Sequence, residues 1–241
     1  MSDISIPARK FLRVFDYLER VGLDVEAAAR AVELSPARLQ ELPPETALPA
    51  RHYSRLYKAC VEQMQRLRQP LPWGAGVGSE SFELMCHCMI GGRTLGEALQ
   101  LAARFGALAW PMLQQKIRLQ EDADVAYLHY DIDFDEHSNQ LAPQDWDRAD
   151  RQGTVARASG LLIWHALCGW LVGESLQTLG ADIAAPAINR EYEAGLIAAL
   201  NCPVVFDARD NAFRFPARQL QRRVVHTADS LREFLDNAVY Q

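Results

Sequence analysis

The stretch from Leu161 to Val172 is the most apolar run in the chain and constrains what can surround it. Twelve residues fall well short of the roughly 20 that cross a bilayer, so the run predicts a helix buried inside a folded domain. It falls within one long helix expected from about Asp147 to Gly173. With 241 residues, 49% of them apolar and 23% charged, the chain can supply the partners that such a helix needs.

The flanking segments divide into helices and strands without regular β-α-β alternation. Phe11, Val14, Phe15, Leu18 and Val21 repeat at helical spacing until Gly22. Asp24 and Ser35-Pro36 each open a short helix, the serine as N-cap and the proline at the first helical position. His52 to Leu67 is helical again, with Tyr53, Leu56, Cys60, Val61 and Met64 on one face. A helix is predicted from about Phe82 to Ile90, stopped by Gly91-Gly92. Thr94-Leu-Gly-Glu97 has the form of a capping box and opens a helix striped with Leu95, Leu99, Ala102 and Phe105.

From Lys116 to Phe134 the period falls to two, interrupted by Glu121-Asp-Ala-Asp124, which predicts a β-hairpin. A strand at Ser175–Leu179, a helix over Arg190–Leu200 and a second hairpin of Val204–Phe206 with Ala212–Phe215 follow. Ser230-Leu-Arg-Glu233 has capping-box form and opens a helix in which the chain ends, as if the polypeptide continued. The fold class is therefore α+β: a helix-rich single domain with two antiparallel β-hairpins packed against helices.

Charge and cysteine usage narrow the function. A formal charge of −6 argues against a surface that grips nucleic acid, which depends on dense Lys and Arg. Cysteines at 60, 86, 88, 168 and 202 are too unevenly spaced for a disulfide framework, and MSDISIPARKFL lacks a signal peptide's apolar segment. Both features point to the reducing cytoplasm, with no membrane partner.

Cys86-His87-Cys88 is the obvious candidate for a metal or redox site. Residues two apart on a helix point about 200° from one another, and no second ligand pair at C-x2-C spacing exists. The triplet is read as packing, and no metal or cofactor is expected. Asp131, Asp133 and Asp135 begin like a calcium loop, but Glu136 stands where Gly is needed and Ala142 where a bidentate Glu is needed. Gly74-Ala-Gly-Val-Gly78 lacks the flanking residues of a phosphate loop. No G-x-S-x-G elbow occurs, so no catalytic residues are assigned. A nucleophile pair of Cys168 and His165, or of Cys202 with some histidine, stays open.

The remaining candidates describe a pocket. Arg157, Trp164 and His165 lie along one helix, with Trp110 and Tyr130 on neighbouring elements and His87 and Cys88 on the Phe82–Ile90 helix. Rings that bury a ligand and polar tips that fix it are what such a pocket requires. Arg157 is the expected anchor for an acidic group, and a core role for His165 is the alternative.

Three segments carry a resemblance. Phe82 to Phe105, with Gly91-Gly-Arg-Thr-Leu-Gly-Glu-Ala-Leu99 at its centre, resembles the leucine-rich helix, turn and Thr-Leu-x-Glu-Ala-Leu signature of the arabinose-binding-like effector domain of AraC-type transcription regulators. Asn201-Cys-Pro-Val-Val-Phe206 followed by Asn211-Ala-Phe-Arg-Phe215 is similar to that family's paired strands, and Val21-Gly-Leu-Asp24 to its opening. The resemblance implies a non-enzymatic sensor and dimerisation domain over residues 1–225, with 226–241 starting a linker helix toward a C-terminal helix-turn-helix DNA-binding domain. It implies a homodimer, DNA contact only through that absent domain, and an effector such as an amino acid, a fatty acid or another organic acid. Cys86-His87 departs from the small, apolar residues common there, which leaves a thiol- or metal-sensing variant as an alternative. A stand-alone binding or dimerisation module and a Cys/His enzyme are the others.

Overall fold

A computed structural model describes residues 5–20, 22–66, 79–113, 115–132 and 150–237. The first elements are β1 (Ser5–Pro7), α1 (Ala8–Arg20), α2 (Val25–Val32), α3 (Pro36–Gln40), β2 (Ala47–Pro49) and α4 (Ala50–Arg66). Caps start the short helices as their sequences predict: Asp24 Oδ1 accepts from Ala27 N at 2.9 Å and Ser35 Oγ from Arg38 N at 3.2 Å. Their apolar faces meet in a core of Phe11, Phe15, Leu18, Val32, Leu39, Leu56 and Met64.

The larger part begins with α5 (Glu80–Met89) and α6 (Leu95–Leu113), then the hairpin of β3 (Gln115–Asp122) and β4 (Val125–Ile132). It continues through α7 (Asp150–Val172), β5 (Gly180–Asp182), α8 (Arg190–Leu200), β6 (Val204–Val205), β7 (Ala212–Pro216) and α9 (Ala228–Asn237). α5 starts two residues earlier than the apolar spacing indicates, because Ser79 Oγ accepts from Phe82 N at 3.1 Å. At the start of α6, Thr94 Oγ1 accepts from Glu97 N at 3.3 Å, while Glu97 reaches one residue further back than a standard box, to Arg93 N at 2.8 Å.

The helix-rich α+β class holds, but the second hairpin does not form. The five-stranded sheet has the order β3-β4-β7-β5-β6. β7 is flanked by β4 and β5, both antiparallel to it, and β6 runs parallel to β5 at the edge. β5 lies between β6 and β7, and its first residue is Gly180. A Cβ there would lie 2.7 Å from Arg214 Cζ, so the bare glycine lets the Arg214 side chain cross β5 and bond Asp182 Oδ2 at 2.9 Å. This strand also replaces the one expected at Ser175–Leu179. There the chain is held by side chains instead: buried Gln219 accepts from Gln177 N and donates to Gln177 O, both at 2.9 Å.

The final helix also begins before its apparent box. α9 starts at Ala228, and Ser230 lies within its first turn, its Oγ accepting from Thr227 N at 2.9 Å. Leu231 and Phe234 then join the main core. Asp133, Phe134, Asp135 and Gly74–Gly78 lie outside the described residues, as do Val21, Leu67 and the expected start of α7 at 147–149.

α7 is the central element. Its segment Gly153–Val172, 20 residues, is long and apolar enough by length and composition to cross a membrane, against the shorter run visible by eye. Ala158, Leu161, Trp164, Leu167, Cys168 and Leu171 are nevertheless buried in the domain core. Gly160 sets how closely α7 meets β4: a Cβ there would stand 2.5 Å from Tyr130 Cζ and nearer still to Cε1. Asn211 ties the same elements together, its Nδ2 donating to Tyr130 O (3.3 Å) and Arg157 O (3.4 Å).

Gly160→Ala should therefore destabilise the domain by about 1–3 kcal/mol through overpacking, despite alanine's better helix propensity. In thermal denaturation this lowers Tm by about 3–10 °C for a domain of this size. Gly195→Ala in α8, where an added Cβ meets nothing within 4 Å, should instead stabilise by up to about 1 kcal/mol. Equal behaviour of the two variants would remove the close approach at Gly160 from the account.

Candidate functional site

A cavity lies where α5, α6, β3, β4 and α7 converge. Its wall runs from Ser79, Ser81, Phe82 and Met85 of the α5 start to Ala102 and Gly106 of α6, Gln115, Lys116 and Ile117 of β3, Tyr130 and Trp164. It is small: the centre of a water-sized sphere has ≈ 20 Å³ to occupy, room for one or two waters.

Local sequence rules place these groups. The pleat turns Ala126, Leu128 and Tyr130 of β4 toward the helices and Tyr127, His129 and Asp131 to the other face; Tyr130 is fully buried. Its hydroxyl donates to Gln115 Oε1 at 2.7 Å, and burial pushes its pKa up although the Arg157 charge opposes this. Trp164 is 3% exposed, and its indole N–H has no hydrogen-bond partner. A buried donor without an acceptor costs about 1–3 kcal/mol.

The candidates divide on this geometry. Trp164 and Tyr130 line the cavity; Arg157, His165, His87 and Cys88 do not. Arg157 folds back along its own helix, where a Cβ on Gly153 would lie 2.8 Å from its Nη1. Among the described residues its guanidinium has no ion pair. His165 turns toward β7 and the segment after α7: Nε2 bonds Thr178 Oγ1 at 2.8 Å, and the ring meets Phe213 edge-on at 5.7 Å. His87 and Cys88 are exposed while Cys86 is 1% exposed, so the opening triplet divides between surface and core. The side chain of Trp110 lies outside the described residues. The sequence reading missed Ser79, Ser81, Gln115 and Lys116. The polar residue preceding an acidic first helical turn (Glu80, Glu83) was the signal for Ser79. Gln115 and Lys116 carry no local signal.

Other reactive groups lie apart from the cavity or are quiet. Among the described residues no cluster of three or more His, Cys, Asp or Glu side chains could hold a metal. Burial pushes the Cys60 and Cys168 thiols up to about 12 and raises those of Cys86 and Cys202, which disfavours the nucleophilic thiolate. On the sheet's other face His129 is 7% exposed with neither ring nitrogen bonded, and burial lowers its pKa, as it does that of His165.

Comparison with known proteins supplies the family, one of regulatory ligand-binding domains. Residues 22–224 match the arabinose-binding domain of AraC transcription regulators, N-terminal, and the chain belongs to that family. It is also similar to the crystal structure of the transcriptional regulator CdpR from Pseudomonas aeruginosa, at 16% identity and a TM-score of 0.38. That alignment covers 94% of this chain and 61% of that chain, so this chain spans less than two thirds of its length. No curated protein matches significantly.

Two measurements follow from the titratable groups. With a thiol reagent at neutral pH, the native protein should show one promptly reacting cysteine, abolished by Cys88→Ser, and five after unfolding. Because His129 and His165 have folded pKa values below the unfolded value near 6.5, the unfolded chain binds protons first on acidification. Their contribution to stability is complete above about pH 6.5 and declines as pH falls toward their folded pKa values. The drop in Tm between pH 7 and 5 should be smaller in a His129→Gln/His165→Gln variant than in the parent.

Proposed function

We propose that this chain is the effector-sensing domain of an AraC-type transcription regulator, binding a small organic molecule in the cavity between α5, α6, the β3–β4 hairpin and α7. The observation carrying the reading is a cavity lined by Trp164, whose buried indole N–H has no partner. Family membership supports it. In this reading the domain is non-catalytic, cytoplasmic and homodimeric, and acts on DNA through a C-terminal helix-turn-helix domain outside this chain. The raised thiol pKa values weigh against the Cys/His enzyme alternative.

The output has a physical route. α7 carries Trp164 at the cavity and, six residues on, Trp170, stacked between His226 (3.9 Å, interplanar 9°) and Phe234 of α9 (4.4 Å, 30°). Ligand-dependent repacking at Trp164 would thus reach the helix closest to the chain's C-terminus. Couplings of this kind are typically worth about 1–3 kcal/mol.

A saturating effector at about 100 times its Kd stabilises the folded state by about 2.7 kcal/mol, or roughly 5–10 °C in Tm for a domain of this size. A metabolite panel screened by thermal shift should yield at least one such compound, with the shift lost in Trp164→Phe. A panel in which no compound moves Tm would leave the cavity as ordinary core and favour a plain dimerisation module.

A further inference from the structure

The net charge of −6 is unevenly placed along the chain. Residues 1–66 carry ten Lys and Arg against nine Asp and Glu, whereas residues 67–241 carry fifteen against twenty-two. Within the first part, positive charge gathers on α4. Of that helix's described side chains the exposed ones are Arg51, Arg55, Lys58, Glu62 and Arg66, four cations and one anion. At about 100° per residue all five fall within an arc of about 80°, in a row about 22 Å long.

A solvated helix face usually mixes its signs, so that charges three or four residues apart attract. This row does the reverse at its start: Arg51 and Arg55 are four residues apart and Arg55 and Lys58 three, and like charges at such spacing oppose the helix. Glu62 stands four residues from both Lys58 and Arg66, yet among the described residues none of the five forms an ion pair. The row is an uncompensated line of positive charge on a regular element, and a polyanion laid along it relieves the repulsion.

The surroundings of the row narrow the partner. A helix that settles on a membrane surface needs an apolar face to bury there, and a protein partner needs apolar anchors for affinity. Leu56, Tyr57, Cys60, Val61 and Met64 of α4 are instead buried within the protein, and no large apolar side chain of this helix is exposed. A phosphate backbone needs neither. It offers charges about every 3.4 Å along each strand, so the row runs past about six base pairs of a duplex. Three of the four cations are arginines, whose forked donors suit phosphate oxygens.

We infer that the exposed face of α4 is an auxiliary docking surface for the phosphate backbone of duplex DNA, independent of base sequence. It acts in addition to any DNA-binding domain outside this chain, and it does not depend on effector binding. The test titrates this chain into a fluorescently labelled duplex of arbitrary sequence and reads anisotropy. Binding should be saturable at about 50 mM salt and weaken about 100-fold by about 200 mM, as counterion release from four phosphates requires. Arg51→Gln/Arg55→Gln should weaken it by at least about 10-fold and cut the salt slope by about half. Arg209→Gln/Arg223→Gln, an equal loss of charge from exposed positions in the larger part, should leave it unchanged. Glu62→Gln, which removes the anion of the row, should tighten it. All these positions are exposed, and an unchanged Tm shows that each variant is folded. No binding at about 50 mM salt, or equal weakening in the two double variants, overturns the docking surface. Phosphatidylserine vesicles and polyglutamate, run in parallel, should bind more weakly than the duplex. A preference for either that Arg51→Gln/Arg55→Gln abolishes assigns the row to a membrane or an acidic protein and overturns the DNA partner.

Discussion

Tyr130 against Gly160 is the contact from which the rest of the larger core takes its position. A flat ring laid directly on a helix backbone fixes the distance between α7 and the sheet far more tightly than interdigitating aliphatic side chains would. The cost is borne locally, since glycine within a helix gives up about 1 kcal/mol relative to alanine. The same ring is wall to the cavity, and its hydroxyl orients Gln115 at the far side. The cavity and the helix–sheet interface are therefore one packing arrangement. Displacing α7 at Tyr130 alters the site as well.

The two faces of the sheet are built on different physics. Toward the helices, Leu128, Phe213 and Phe215 are completely buried, and removal of apolar area from water supplies the stabilisation. On the other face Arg118 pairs with Asp131 at 2.6 Å and Arg214 with Asp182 at 2.9 Å. Those side chains are between 29% and 49% exposed, so each pair is worth at most about 1 kcal/mol. Their stronger effect is on register, because each links residues of neighbouring strands. His129 lies among these charges yet is buried, and its unbonded ring is the least satisfied polar group on that face.

What was legible in the sequence is what depends on local physics. Periodicity located α1, α4 and α6, and side-chain caps at Asp24, Ser35 and Thr94 fixed starts, because a cap competes only with its own neighbouring amides. The second hairpin failed for the converse reason. Val204–Val205 and Ala212–Pro216 are strands, but β5, more than 20 residues upstream, pairs with both and lies between them, a long-range placement that local spacing does not reveal. α9 was placed late because Ser230 satisfies the capping-box pattern while bonding in the reverse sense. In the cavity, helix-borne Trp164 and strand-borne Tyr130 stood out by type. Arg157 stood out equally but folds along its own helix toward Gly153, a rotamer that no spacing rule discloses.

A ligand can shift a conformational equilibrium only by its difference in affinity between the two states. On the effector reading, Trp164 on the cavity wall is one place where that difference can arise. Six helical residues span about 9 Å, so a rotation or small slide of α7 that improves the Trp164 contact is felt at Trp170. There it meets two stacked rings, and stacking tolerates offset better than it tolerates separation. The His226 ring is further held through Nδ1 to Ser230 Oγ at 3.2 Å, inside the first turn of α9. The path from cavity to terminal helix therefore consists of one rigid helix and one aromatic sandwich, with no loop in between to absorb the motion.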